Sequence, residues 1–177
     1  MARLIPDTCS TFADSIAARG SCAGVQVSFD TNLRLRLWPL ERARAAMTQV
    51  MRMCDICLPS LDDVAAVTGL ADPDEIADHC LALGATVVAL KLGEHGALVA
   101  DARERHRIAP HPCQAVDATG AGDTFGGAFV ARRIAGDGLL AAGRHAAIAA
   151  ALSTEGWGAV EPIPDADRVR AALAAQA

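Results

Sequence analysis

Asp123 stands directly behind a Gly120-Ala121-Gly122 turn and ahead of Thr124-Phe125-Gly126-Gly127-Ala128-Phe129. The small residues allow close backbone approach, and the Ala-rich run from Ala128 to Ala135, closed by Gly136, reads as helix. A Gly-Ala-Gly turn feeding a helix leaves several amide N–H groups aimed at one point, with the positive end of the helix behind them. The pattern predicts an anion site. A carboxylate in the first turn would repel a phosphate that is merely held there. An ionised Asp123 beside an oxyanion cradle instead suits an enzyme that takes a proton from a hydroxyl while that hydroxyl attacks a phosphoryl group. The plainer alternative is a helix start with Asp as its N-terminal charge.

The elements that must position this loop read as strands alternating with helices. Residues 8–19 have helical spacing and end near Gly20, and Val25-Gln26-Val27-Ser28-Phe29 alternates as a strand ending at Asp30. Ligands in open α/β sheets collect at the carboxyl ends of strands, which places Asp30, Asn32 and Arg34 to line a crevice. The alternative there is a polar loop whose Asp and Asn cap turns. A helix from Pro39 to Met53 and a strand over 56–59 follow. Ser60 can cap a short helix to Thr68 before Gly69, and Asp72-Pro73-Asp74-Glu75 starts another that Gly84 ends. Thr86 to Leu92 is a continuous apolar strand, Gly93-Glu94-His95-Gly96 a tight turn, and Ala97 to Ala100 a returning strand. A polar link from Asp101 to His106 leads to a short strand near Ile108. Leu139–Ser153 and Asp165–Ala175 read as helices on either side of a break at Gly156-Trp157-Gly158. The expected architecture is one α/β domain over 1–177, with a mostly parallel sheet covered on both sides.

Composition narrows the class of function. The 177 residues are 52% hydrophobic but only 3% aromatic, so close-packed helices are expected. A net charge of −5 with no basic, aromatic-interleaved run argues against nucleic acid. No apolar run approaches the ~20 residues of a membrane span, and the first residues lack the apolar core of a signal peptide. A soluble cytoplasmic protein is the default. The six cysteines, Cys9, Cys22, Cys54, Cys57, Cys80 and Cys113, lie in apolar surroundings and are expected to be buried thiols. Cys54-x-x-Cys57 lacks a second pair to complete a zinc site. His95 reads as a turn residue, and His106 with His111 could pair without completing a metal site.

The run Asp117-Ala118-Thr119-Gly120-Ala121-Gly122-Asp123, followed by Gly127-Ala128-Phe129, resembles the C-terminal signature of the ribokinase-like (PfkB) carbohydrate kinases. Ser28-Phe29-Asp30-Thr31-Asn32-Leu33-Arg34, with Leu37-Trp38-Pro39 behind it, resembles the 2-keto-3-deoxygluconate kinase branch. Two such motifs in the right order are far more specific than either alone. The resemblance implies a three-layer α/β/α ribokinase-like fold and ATP-dependent phosphorylation of a sugar-acid hydroxyl with Mg2+, most directly 2-keto-3-deoxygluconate to its 6-phosphate. It makes Asp123 the base and the Gly120, Ala121 and Gly122 amides the anion hole. Arg34, with Asn32 and Asp30, would contact the sugar acid, whose carboxylate suits a guanidinium fork. Lys91, Gly93 and Gly96 would lie on the nucleotide side with Gly120, Gly122 and Ser60.

The chain departs from the family in three ways. The family's Asn-x-x-Glu is represented only by Ser60 and Asp63, which leaves Asp63 as the candidate Mg2+ carboxylate. An Asn common on the nucleotide-side helix falls at Ala147. The similarity is expected to correspond to the C-terminal half or somewhat more of a family member, with the N-terminal part and lid missing. The expected partners are ATP and a small sugar acid, together with a second copy or a separate N-terminal half. The alternatives are a non-catalytic nucleotide-binding remnant and a kinase for another sugar such as fructose or ribose. A dinucleotide-binding oxidoreductase is a further reading, but an Asp directly behind the second Gly argues against it.

Overall fold

In the computed structural model, which describes residues 25–176, helix boundaries follow the capping residues. The helix expected over 8–19, with Cys9 and Cys22, lies outside the described residues. Helix α1 spans Leu40–Met51, α2 Leu61–Thr68 and α3 Pro73–Leu83. Ser60 Oγ accepts the Asp63 amide at 3.3 Å, and Asp72 Oδ1 accepts those of Asp74 at 2.8 Å and Glu75 at 3.1 Å. Gly69 ends α2 at φ 82°, a left-handed conformation that costs glycine little. Further along, α4 spans Ala121–Ile134, α5 Leu139–Ser153 and α6 Ala166–Ala174.

Five strands, β1 (Ser28–Asp30), β2 (Ile56–Leu58), β3 (Val87–Lys91), β4 (Ala97–Asp101) and β5 (Arg105–Ile108), hydrogen-bond in the order β1-β2-β3-β4-β5. β1 with β2 and β2 with β3 run parallel, with Phe29 opposite Cys57 and Cys57 opposite Val88. β4 and β5 are antiparallel, with Ala97 opposite Ile108. The sheet is therefore mixed. The link between β4 and β5 is shorter than expected, because Asp101 Oδ1 accepts the amides of Arg103 at 2.7 Å and Glu104 at 2.9 Å and closes a tight turn. So short a link can join only antiparallel neighbours. β1 is shorter than the alternation of 25–29 suggests. The Val27 amide donates to Asp55 Oδ2 at 2.7 Å, so the ladder begins one residue later.

The chain divides into two compact units, Met1–Val88 and Ala89–Ala177. In the first, α1, α2 and α3 pack on one another, and Met47, Met51, Val64, Val67 and Ile76 are all at most 2% exposed. In the second, α5 packs against α4, α6, β4 and β5 around Phe129, Leu98, Leu139 and Ile148. Gly143 on α5 lies so close to β5 that a Cβ there would meet Ile108 Cδ1 at 3.0 Å, which lets the helix seat on the strand. Cys54, Cys57 and Cys80 are buried as expected, but Cys113 is exposed, because it sits on the loop between β5 and α4. Among the described residues no helix is long and apolar enough to cross a membrane.

Candidate anion-binding and catalytic site

Helix α4 begins at Ala121, so Gly122 and Asp123 occupy its first turn. Gly120 is its N-cap at φ 80°, and a Cβ there would lie 2.9 Å from Ala159 Cβ and 3.0 Å from the Ala159 carbonyl oxygen. The backbone of Ala159 thus closes the rear of the turn and requires glycine. The front is different. A Cβ on Gly122 would meet only the Lys91 side chain, with Nζ at 3.7 Å. Lys91, the last residue of β3, therefore brings an ammonium beside the positive end of α4. First-turn amides and a cation border the open front of Gly122, which is the chemistry of an oxyanion or phosphate cradle.

The three expected anion-hole amides are not equivalent. Ala121 N donates to the Ala118 carbonyl at 3.2 Å, because the chain enters the helix through a tight turn. Gly122 and Asp123 carry the other first-turn amides, which have no acceptor within a helix. The Asp123 side chain is exposed at the same helix end, as a base that meets an incoming hydroxyl must be.

Asp117 holds this loop in place, a role that the sequence reading misses. Its Oδ1 accepts the Thr119 hydroxyl at 2.6 Å and the Thr119 amide at 2.9 Å, and its Oδ2 accepts the Gly158 amide at 2.9 Å. The Thr119 hydroxyl, the Gly158 amide and the Thr119 amide together hold its carboxyl below the usual carboxylate range. The Val116 and Asp117 amides both donate to the Thr154 carbonyl, at 2.7 and 3.1 Å. The Asp-x-Thr spacing was a usable turn signal, whereas the Gly158 contact, 41 positions away, was not.

Gly93 and Gly96 flank the 3₁₀ turn after β3, at φ 59° and 87°. Packing accounts for Gly96, since a Cβ there would strike the Ile108 carbonyl oxygen and lie 2.9 Å from Pro110 N. Gly93 faces open space. His95 is an exposed turn residue beside Glu94. His106 and His111 do not pair with each other: His106 Nε2 lies 3.0 Å from Glu104, and His111 Nδ1 lies 2.7 Å from Gln176 Nε2. An open depression of about 600 Å3 is lined by Pro112, Cys113, Gln114, Val116 and Glu155, none of which the sequence singles out for the site.

The residues read from the sequence as acceptor contacts come together within the first unit. Asp30 ends β1, and Asn32 and Arg34 follow it on an exposed loop. Arg34 Nη1 donates to the Leu33 carbonyl at 2.9 Å. Asp63 Oδ2 accepts the Thr31 hydroxyl at 2.7 Å and the Leu33 amide at 3.1 Å, so this carboxylate is engaged by the loop. Ser60 is occupied as the α2 cap. Among the described residues, no group of three or more His, Cys, Asp or Glu could hold a metal ion.

The profile of the pfkB family carbohydrate kinases matches residues 4–166. The ATP-dependent 6-phosphofructokinase of Thermoanaerobacterium thermosaccharolyticum is 32% identical over 149 residues, covering 82% of this chain and 46% of that protein. The 2-dehydro-3-deoxygluconokinase of Bacillus subtilis is 29% identical over 158 residues, covering 87% of this chain and 48% of that protein. Among solved structures, an E. coli protein assigned as ribokinase II, in complex with ATP and Mg2+, superposes with a TM-score of 0.83 at 28% identity, covering 92% of this chain and 53% of that one. The chain spans about half the length of the curated relatives it matches.

Proposed function

The chain belongs to the pfkB family of carbohydrate kinases, and from that premise we propose that it transfers the γ-phosphoryl group of ATP to a hydroxyl of a sugar acid, most specifically 2-keto-3-deoxygluconate. The observation that supports the reaction class is the open front of Gly122, with the Lys91 ammonium beside it and Asp123 one residue on. Phosphoryl transfer needs little covalent chemistry from a protein; it needs positioning and stabilisation of charge on the moving group. The Gly122 and Asp123 amides and the α4 N-terminus would hold the transferring oxygens, with Lys91 adding a full positive charge. Asp123 would take the proton of the attacking hydroxyl.

The acceptor assignment draws on Arg34, Asn32 and Asp30, since a guanidinium fork matches a carboxylate-bearing sugar. The similarity to the Bacillus subtilis 2-dehydro-3-deoxygluconokinase supports the same substrate. Mg2+ prefers one or two carboxylates completed by phosphate oxygens and water. The donor set here fits an ion carried on the nucleotide's phosphates, where it would neutralise their charge. Asp63, the carboxylate that the sequence offers to it, already takes two hydrogen bonds from the Thr31–Leu33 loop on Oδ2, so the ion would rest chiefly on the phosphates.

Mixing the chain with ATP, Mg2+ and 2-keto-3-deoxygluconate and following ADP tests this reading. Saturable turnover with fructose or ribose and none with the keto acid would overturn the substrate. Asp123→Asn should keep the fold and the affinity for ATP while lowering turnover on the order of 10²–10⁴-fold. Near-normal turnover would remove Asp123 as base. A second reading, that the chain binds ATP without turning over an acceptor by itself, is favoured by its span of about half the length of its relatives. A measurable Kd for ATP with no ADP formed would support it.

A further inference from the structure

Asp63 lies in the first turn of α2, yet its carboxylate is committed to a loop 32 positions away in the sequence. Thr31 Oγ1 and the Leu33 amide both donate to Asp63 Oδ2, at 2.7 and 3.1 Å. The Ser60 amide donates to Thr31 Oγ1 at 3.3 Å, and the Asp63 amide donates to Ser60 Oγ at 3.3 Å. These four bonds close a ring between the start of α2 and the end of β1. Thr31 is 6% exposed, so its hydroxyl must be satisfied within the protein.

Between the two tethered residues stands Asn32, at φ 37°. Among the described residues it is the one non-glycine with positive φ. L-residues avoid this backbone region, Asn less than most, and they hold it where the surroundings dictate it. Here the dictating group is one oxygen that grips the residues on both sides. The turn leaves Asn32 and Arg34 exposed beyond the carboxyl end of β1.

We propose that Asp63 is a positioning residue for acceptor binding: it holds Thr31 to Leu33 in the shape that presents Asn32 and Arg34 to a hydroxylated carboxylate. This rests on the reading of Asn32 and Arg34 as acceptor contacts. An ordinary acidic residue in a first helical turn would stabilise α2 and leave the loop alone. A magnesium ligand would act on the nucleotide side. Hydrogen bonds to an ionised carboxylate are stronger than neutral ones, so Asp63→Asn keeps an acceptor oxygen but only part of the grip.

The test compares the wild-type chain with Asp63→Ala, Asp63→Asn and Thr31→Val. Amide hydrogen exchange at Leu33, read by NMR, reports the clamp directly and needs no activity. Leu33 should exchange at least tenfold faster in Asp63→Ala and by less in Asp63→Asn. Thr31→Val removes one donor and keeps the Leu33 bond, so it should loosen the loop least and still fold if Asp63→Ala does not. Titrations with 2-keto-3-deoxygluconate and, separately, with ATP and Mg2+ then read the consequence. Asp63→Ala should weaken the keto acid at least tenfold and leave ATP within about twofold, with partial recovery in Asp63→Asn. Unchanged Leu33 exchange in Asp63→Ala or, where that variant does not fold, in Asp63→Asn would overturn the proposal, as would loss of ATP·Mg2+ affinity with the keto acid unaffected. If the wild type binds no keto acid, the substrate reading fails, and exchange at Leu33 still decides the clamp.

Discussion

Gly120 and Gly122 stand two residues apart and should respond to the same substitution in opposite ways. Gly120→Ala forces an L-residue to φ 80°, at a cost of about 1–2 kcal/mol. Its new methyl would also lie 2.9 Å from Ala159 Cβ and 3.0 Å from the Ala159 Cα and carbonyl oxygen, so backbone must move, which costs a further ~1–3 kcal/mol. Together these approach a large share of the ~5–15 kcal/mol that holds an ordinary domain folded. In a chain of this size each kcal/mol shifts Tm by about 2–4 °C, so a fall of roughly 5–20 °C is expected. Gly122→Ala meets only Lys91 Nζ at 3.7 Å and Cδ at 3.9 Å, at ordinary contact distance and in helical backbone. Alanine in place of a helical glycine should raise stability by about 0.5–1 kcal/mol. The methyl nevertheless fills the space beside the ammonium where an anion would sit. Loss of one charge-assisted hydrogen bond costs ~1.5–3 kcal/mol, which predicts ATP binding weaker by roughly 10–100-fold. Thermal melts and calorimetric ATP titrations of the two variants separate these effects. A Gly122→Ala protein that is stable and binds ATP like the wild type would refute the anion site, and a Gly120→Ala protein with unchanged Tm would refute the close approach of Ala159.

Asp117 is held below the usual carboxylate range in the folded chain, so the order it confers on the loop is complete above the ordinary Asp pKa of about 3.9 and is lost as pH falls through the lowered folded value. Protection of the Thr119 and Gly158 amides, taken relative to their intrinsic exchange rate at each pH, should therefore stay constant from neutrality to about pH 4 and fall below it, and a flat profile in acid would argue against the tether. Phe129 is fully buried and stacks on Phe125 with ring centroids 6.2 Å apart, so Phe129→Ala should lower unfolding free energy in urea by ~3–5 kcal/mol. Among the described cysteines, Cys113 alone is exposed, while contacts with the Cys54 and Cys80 thiols, together with burial, push the Cys57 thiol well up. Peptide mapping after brief native alkylation should find Cys113 modified and Cys57 untouched.

Features fixed within a few residues were legible in the sequence. Ser60, Asp72 and Asp165 cap their helices through bonds to amides two or three positions on, and Gly69 ends α2 in the conformation its type favours. Such bonds depend on residue type and spacing alone, so α2, α3 and α6 fall where the pattern puts them. The strands were harder. Val25 to Val27 alternates as β1 does, but Asp55 takes the Val27 amide, and nothing near Val27 announces that competitor. In β5, Arg105, His106 and Arg107 do not alternate between apolar and polar, because the strand is half exposed and its register comes from β4. The site divides in the same way. Its glycines and Asp123 were visible because a first helical turn is local. The tethers from Asp117 to Gly158 and from Asp63 to Thr31, 41 and 32 positions apart, were not. Each joins a common polar residue to a partner that only the fold brings near, and each holds a turn whose own residues were read as functional. The residues read as ligand contacts are therefore marked by type, whereas those that hold their turns are marked only by contact.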